Sequence, residues 1–580
     1  GVLFAGHSMG GHGAWYLATH APDYGLGVAS VAGWIKKEYY GDANSFMVHD
    51  ISTSYIDTQL QALLLSSVAE NQVDHYVSNL AGIPALTRVG SNDMTVNPWY
   101  ARRMHRLLIS EGINSTYTEL PGKEHWWWDT HSANDGGATN DEQMRAFFQR
   151  TRDLQLSSDQ IPTKRFTISL YNPSSFKGKG GIRPLQLILS CKKSTIKVAI
   201  EDESPSHRRF ELQTQNIRRL QINHYNPVGS LAGDTSSATY VLDGEAFIVS
   251  IYPSYFCLDQ GLWKECNQDD KYWIKEKTPS AHGPIPYITL APLIISVGSG
   301  GVQGSRAQEK AQQKGLRHVG LYLANMYYHT TDAHVQVVQD TLLLEEYRRD
   351  QYIFSGKNII FVGGPAENVL LEELMVERGK AVAAYTGDQV LVKGIHPDQQ
   401  LDDEYSIVPH EVIAPQDVCA EDSLRSNQEK LMHYGLHSPV VFDHFRSQNS
   451  SYRSEERINS FSVGPSVFNE EGLGLAALIP LAPIANLGLI MAGVGSLVEA
   501  RQSAGGASGG SVPGSTQGLA LAARLAVPTI PPMARAPLTN LLPDYIVLGP
   551  EARRYGFGGV RIAGHWGAEW KWEPQTAFVG

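Results

Sequence analysis

"LFAGHSMGGHGAWYLATH", residues 3–20, decides how this chain is read. Four apolar residues run into Gly6-His7-Ser8-Met9-Gly10, and a helical pattern follows at once. Glycine, any residue, serine, any residue, glycine is the pattern of a nucleophile elbow, a sharp strand-to-helix turn that lifts a serine hydroxyl above a sheet. Glycine is expected at both ends, because a side chain there would strike the neighbouring strand or helix. In a chain with 55 glycines the pentapeptide alone decides nothing. Its setting does: Gly10, Gly11, Gly13 and Ala14 are small enough to draw the helix onto the strand. The elbow also puts Ser8 at a helix N-terminus, with the amide of Met9 facing a developing oxyanion.

A serine hydroxyl becomes a useful nucleophile when a histidine takes its proton and an acid holds that histidine in the right tautomer. In α/β-hydrolase sheets the order is serine, acid, histidine. The strand "IPALTRVG" (83–90) ends in "SNDMTVNP", which places Asp93 on a loop at a strand's C-terminal end. The next strand, "NSTYTELPG" (114–122), runs into "KEHWWWDT" and places His125 on the following loop. Asp74, His75 and His105 are rivals that fall inside predicted helices, on faces expected to be solvated; Asp129 and His131 are further rivals. His7 and His12 flank the elbow, Glu124 precedes the histidine, and Trp126, Trp127 and Trp128 follow it. Three consecutive indoles cannot all face one way, so one is expected to pack inward and another to wall the cleft; His7, Trp126 and Trp127 are the pocket candidates.

Outward from the elbow, "GVLFA" (1–5), "GVASVAGWI" (27–35) and the two strands above alternate with helical stretches at 10–20, 57–80 and 97–112. Such alternation predicts a parallel sheet covered by helices over residues 1–155. A β-rich region is expected over 160–285, a small α/β module over 286–400 and a mixed region over 401–580, with a Gly/Ser-rich loop at 500–518. "VGGP" (362–365) and "FGG" (557–559) read as turns, with anion-binding nests as the alternative. The uncharged run 472–498 is long enough to span a bilayer, but Pro480, Pro483 and Asn486 interrupt it and favour buried core segments.

With 42% hydrophobic residues and 48 Lys+Arg against 59 Asp+Glu, the composition is that of a folded, mildly acidic chain of several domains, and argues against nucleic acid as a partner. Four scattered cysteines imply no metal site, and no cofactor is called for. Cys257 and Cys266 either close a small loop in an oxidising compartment or stand as free thiols. Asn114-Ser-Thr and Asn449-Ser-Ser are glycosylation triplets.

"GHSMGGHGAW", "RVGSNDMTVNPWYARRMHRLL" and "LPGKEHWWW" resemble the catalytic domain of the prolyl oligopeptidase (S9) family of serine peptidases, over about the first quarter of the chain. The resemblance extends to the spacing of Gly90, Asp93 and Val96, and implies Ser8 as nucleophile, Asp93 as orienting acid and His125 as general base. "NIIFVGGP", "LLPDYIVLGP" and "GFGGVRIAGHWGAEWKW" are similar to C-terminal portions of large fungal proteins carrying such a domain. In that superfamily strands precede the elbow strand and a preceding loop supplies a second oxyanion amide. The chain opens at Gly1 without them, so it reads as truncated, with a partial α/β-hydrolase sheet whose place is left open or filled by strands from 286–364. The resemblance implies a serine-type peptidase working through an acyl-enzyme. A carboxylic-ester hydrolase is the alternative, and a non-catalytic binding or structural protein with a degenerate hydrolase domain the alternative of another class. Peptides or small esters are the expected substrates, and secretion is favoured over the cytoplasm.

Overall fold

The computed structural model describes residues 1–36, 56–127, 137–156, 164–204, 207–224, 237–267, 273, 275–299, 306–331, 334–365, 367–386, 429–434, 440–447, 460–468, 473–481, 487–493 and 542–580. Among the candidates, Trp128, Asp129, His131 and Asn449, and the loop 500–518, lie outside them. The chain divides into two compact units, one of Gly1–Asp50, Leu64–Asp270 and Thr278–His282, the other of Ile51–Leu63, Lys271–Lys277 and Gly283–Gly580.

The first unit begins with the expected α/β layer. Strands β1 (Val2–His7), β2 (Gly25–Val31), β3 (Ala85–Gly90) and β4 (Ser115–Leu120) form a parallel sheet in sequential order. In chain order the helices are α1 (Met9–His20), α2 (Thr58–Ser66), whose residues through Leu63 belong to the second unit, α3 (Trp99–Ser110) and α4 (Glu142–Leu156). Side chains on a strand alternate between faces, so Val28 and Ala85 join Trp15, Ala18, Met104 and Leu108 on one side. Their neighbours Ala29, Val31 and Leu86 pack with Trp127, Met144 and Phe147 on the other. Residues predicted as one helix over 57–80 divide into α2 and two 3₁₀ segments, Ala69–Asn71 and Val73–Leu80, so Asp74 and His75 do not stand on an α-helix. Among the described residues β1 pairs only with β2, and the strands of 286–364 lie in a different sheet, so they do not fill the place beside it.

A β-sandwich completes the first unit. Strands β5 (Arg165–Leu170), β6 (Ile182–Leu187), β7 (Ser194–Ser204), β8 (His207–Gln215), β9 (Ile217–Ile222), β10 (Ala238–Leu242), β11 (Glu245–Val249), β12 (Ser254–Asp259) and β13 (Leu262–Cys266) form two sheets, β11-β10-β8-β7-β5 and β13-β12-β9-β6. One core of inward residues, among them Ile168, Ile196, Phe210, Tyr240, Leu220 and Phe256, joins them. Cys257 and Cys266 are disulfide-bonded across the β12–β13 hairpin. The sandwich is keyed to the α/β layer by polar groups: the Asn79 side chain donates to the carbonyls of Thr19 and Ser169 and accepts from the Ser169 amide. Asp23 accepts from the amides of Gly180 and Gly181.

The second unit is built on an eight-stranded sheet. Its parallel part begins with β14 (Leu293–Val297), β15 (Gln336–Gln339) and β16 (Asn358–Val362), with helices α5 (Arg306–Thr331), α6 (Asp340–Arg349) and α7 (Val369–Thr386) between and after them. Strands β17 (Glu429–Tyr434), β18 (Val440–Ser447), β19 (Ser460–Val463) and β20 (Ser466–Phe468) form a separate antiparallel sheet. Strands β21 (Gly474–Pro480), β22 (Leu487–Gly493), β23 (Tyr545–Leu548), β24 (Val560–Gly564) and β25 (Ala577–Val579) extend the large sheet in the order β15-β14-β16-β22-β21-β23-β24-β25. Within the uncharged run, Gly474–Pro480 and Leu487–Gly493 thus form an antiparallel strand pair, and among the described residues no helix is long and apolar enough to cross a membrane. In "VGGP" the Gly364 amide is taken by the Glu367 carboxylate, and "FGG" lies in one 3₁₀ turn, Gly556–Gly559.

Candidate active site

Ser8 sits between β1 and α1 with φ 58° and ψ −118°, a conformation that costs a non-glycine residue on the order of 1–3 kcal/mol and marks a built turn. Its amide donates to the Val31 carbonyl at 2.9 Å and its carbonyl accepts from the His12 amide at 3.1 Å, so strand β2 and the helix hold the turn from both sides. Gly6 is required: a Cβ there would stand 2.2 Å from the Gly10 carbonyl oxygen. The expectation for the other glycines is corrected in part. Gly11 does let the helix reach the sheet, since its Cβ would meet the Val31 oxygen at 2.8 Å, but a Cβ on Gly10 or Gly13 would meet nothing within 4 Å.

Two loops at the same rim deliver the partners. Their approach explains Gly90, whose Cβ would lie 2.3 Å from the Lys123 carbonyl oxygen. The Asn92 amide donates to that carbonyl at 2.9 Å and the Gly122 amide donates to Ser91 Oγ at 2.8 Å, so the loops after β3 and β4 are bonded to each other. On them, His125 Nε2 is 2.8 Å from Ser8 Oγ, and His125 Nδ1 is 2.8 Å from Asp93 Oδ2. A carboxylate only accepts, so Nδ1 carries the proton and Nε2 is left to accept from the serine hydroxyl. The other Asp93 oxygen accepts from the amides of Thr95 at 2.9 Å and Val96 at 2.8 Å. Both side chains are buried, with Asp93 1% and His125 2% exposed. Those two amides escaped the sequence reading; an aspartate followed by Met-Thr-Val at a strand end is the turn-forming signal that would have pointed to them.

Met9 is the first residue of α1, where helix geometry leaves the amides of the first turn without intrahelical acceptors. His7, the residue before the serine, donates from Nε2 to the main-chain oxygen of His125 at 2.9 Å, tying the elbow to the histidine loop. Trp126 is 56% exposed and stands edge-on to the His125 ring at 4.4 Å, whereas Trp127 is 6% exposed and packs among Val31, Met144 and Phe147. One indole turns inward and its neighbour outward. Glu124 is exposed.

The rival residues are engaged elsewhere. The Asp74 carboxylate is buried rather than on a solvated face, and pairs with Arg103 at 3.3 Å and Lys36 at 3.7 Å. His75 lies 5.2 Å from the Tyr171 ring. His105 bonds Ser115 Oγ at 3.0 Å, and partial burial lowers its pKa. His12 bonds the Trp34 carbonyl at 3.0 Å and stacks on that indole.

No protein-family model matches the chain. A protein of Arthroderma benhamiae described as an uncharacterized secreted protein is 30% identical over 220 residues, covering 38% of this chain and 22% of that one. The chain therefore spans less than a quarter of that relative's length. Among solved structures, PHB depolymerase from Penicillium funiculosum is 16% identical with a TM-score of 0.18, over 34% of this chain and 62% of that one. A Bacteroides ovatus chain assigned as a dipeptidyl aminopeptidase IV is 15% identical with a TM-score of 0.19, over 26% and 18%. Likenesses this partial carry no argument about the reaction.

Proposed function

We propose that the chain carries a serine hydrolase site that works through an acyl-enzyme. The observation behind this reading is the unbroken relay from Ser8 through His125 to Asp93, 2.8 Å at each step, with the serine on a strained elbow. Ser8 Oγ attacks a carbonyl carbon while its proton passes to His125 Nε2; the tetrahedral oxyanion is received at the N-terminus of α1, beginning with the Met9 amide. Asp93 keeps the imidazole in its productive tautomer and stabilises it when charged. Collapse breaks the bond to the leaving group, which takes the proton from Nε2, and water then hydrolyses the ester on Ser8 by the same steps in reverse order of partners.

Peptides are the favoured substrates, on the resemblance of the three motifs to S9 peptidases. The Cys257–Cys266 disulfide and the secreted relative support an extracellular setting. A pair of substrates sharing one acyl group, one an ester and one a peptide amide, tests the reading with Ser8→Ala as control. Turnover of both, lost in the variant, is the result expected. Turnover of the ester alone moves the assignment to an esterase; turnover that survives in Ser8→Ala ends it.

A further inference from the structure

A relay of this kind fixes where the two halves of a substrate lie. The attacked carbon must sit on Ser8 Oγ, and the heteroatom that departs must come within hydrogen-bond reach of His125 Nε2, because that nitrogen supplies its proton. A group beside the imidazole at the surface is therefore placed where the leaving group departs. Trp126 stands there. Its indole meets the His125 ring edge-on with centroids 4.4 Å apart, and it is 56% exposed where its neighbour Trp127 is 6%. His7 stands against both, its ring 4.9 Å from His125 and 5.8 Å from Trp126.

An indole held half in water next to a reacting centre is a large apolar surface ready to be covered, and aromatic side chains bury about 150–250 Å² each when they are. A flat face is matched best by another flat face, in offset or edge-on contact. We infer that Trp126 is the leaving-group platform of this site, and that it selects substrates whose departing alcohol or amine carries a planar apolar or aromatic group. This rests on the hydrolase reading above. It adds a selectivity which that reading does not require.

In the acylation step the Ser8 Oγ–carbon bond forms as the hydroxyl proton moves to Nε2; the carbon–leaving-group bond then breaks and the proton moves on to the departing oxygen or nitrogen. The platform acts only while that group is attached, so it leaves deacylation of a shared acyl-enzyme untouched. Two acetate esters separate the effects: phenyl acetate and hexafluoroisopropyl acetate release alcohols of similar acidity, one flat and aromatic, the other not. The full chain is expected to favour the phenyl ester in kcat/KM by about tenfold or more. Trp126→Ala should lower kcat/KM for the phenyl ester by roughly 10–100-fold and for the fluoroalkyl ester by less than about threefold, with Trp126→Phe close to wild type on both. Labelling of Ser8 by a small fluorophosphonate, which expels only fluoride, should still occur in Trp126→Ala and so report an intact relay.

Equal loss on both esters in a variant that still labels would reduce Trp126 to packing and overturn the inference. So would equal use of the two esters by the wild type, a result that needs no variant to fold, or turnover of neither ester by a chain that labels. Absence of labelling in the wild type would instead strike the hydrolase reading itself.

Discussion

Ser8 is held at φ 58° although it has a side chain, and the residues around it divide into those that make the turn possible and those that merely accompany it. Gly6 belongs to the first kind and Gly10 to the second. Gly6→Ala should slow fluorophosphonate labelling by about a hundredfold, since a Cβ 2.2 Å from a backbone oxygen must push the elbow out of line. Gly10→Ala should stay within a few-fold of wild type, because nothing lies within 4 Å of the new methyl. The two substitutions are alike in sequence, and only what stands opposite the new methyl separates them. At the relay itself, His125→Ala should abolish turnover and Asp93→Asn should lower kcat about 10⁴-fold, the asparagine amide favouring the wrong imidazole tautomer. Near-normal steady-state rates in either would remove that residue from the proposed relay.

Helix α1 carries the serine at one end and, at the other, a histidine the relay does not use. His20 is buried in the last turn, its Nδ1 on the Tyr16 carbonyl at 2.8 Å, and burial pushes its pKa down to about 4 from 6.5. Between those values the unfolded chain binds a proton that the folded one refuses, so stability falls as pH drops from about 6.5 to about 4, by about 3 kcal/mol at most. Glu70, whose carboxyl burial raises, works in the opposite sense, because the folded state takes up its proton first. Comparison with His20→Gln cancels that contribution: urea unfolding at pH 7 and pH 4 should show the wild type losing more stability than the variant. Asn79, which bonds the end of α1 to β5, is a second lever; Asn79→Ala should cost on the order of 3 kcal/mol by stranding buried groups of Thr19 and Ser169. The four strands of this layer, with α1 and α3, could be read from sequence because each shows its period, whereas α4 is missing from that reading and 57–80 reads as a single helix. Asp93 and His125 could be read because they end successive strands. Asp74 could not: a carboxylate at a helix-like position looks solvated until Arg103 and Lys36, brought from elsewhere in the chain, bury it.

Across the whole molecule, legibility falls with the sequence separation of the partners. The sheet of the α/β layer pairs strands in chain order, whereas in the large sheet β16 (Asn358–Val362) pairs with β22 (Leu487–Gly493). Residues 286–400 and the C-terminal region thereby share one sheet, a pairing that periodicity within either segment does not reveal. The disulfide was an even choice in sequence and depends on a hairpin register that only the fold supplies. Its loop is short, with a separation of 9 residues, so replacing both cysteines by serine should cost about 2–3 kcal/mol. Urea unfolding of the first unit's transition with and without reductant should show the same decrement. The central claim is that the fold turns Ser8 into a nucleophile, and fluorophosphonate labelling followed by mass mapping tests it most directly. The account predicts a single adduct on Ser8, absent in His125→Ala; an unlabelled chain, or an adduct on another residue with Ser8 untouched, would contradict it.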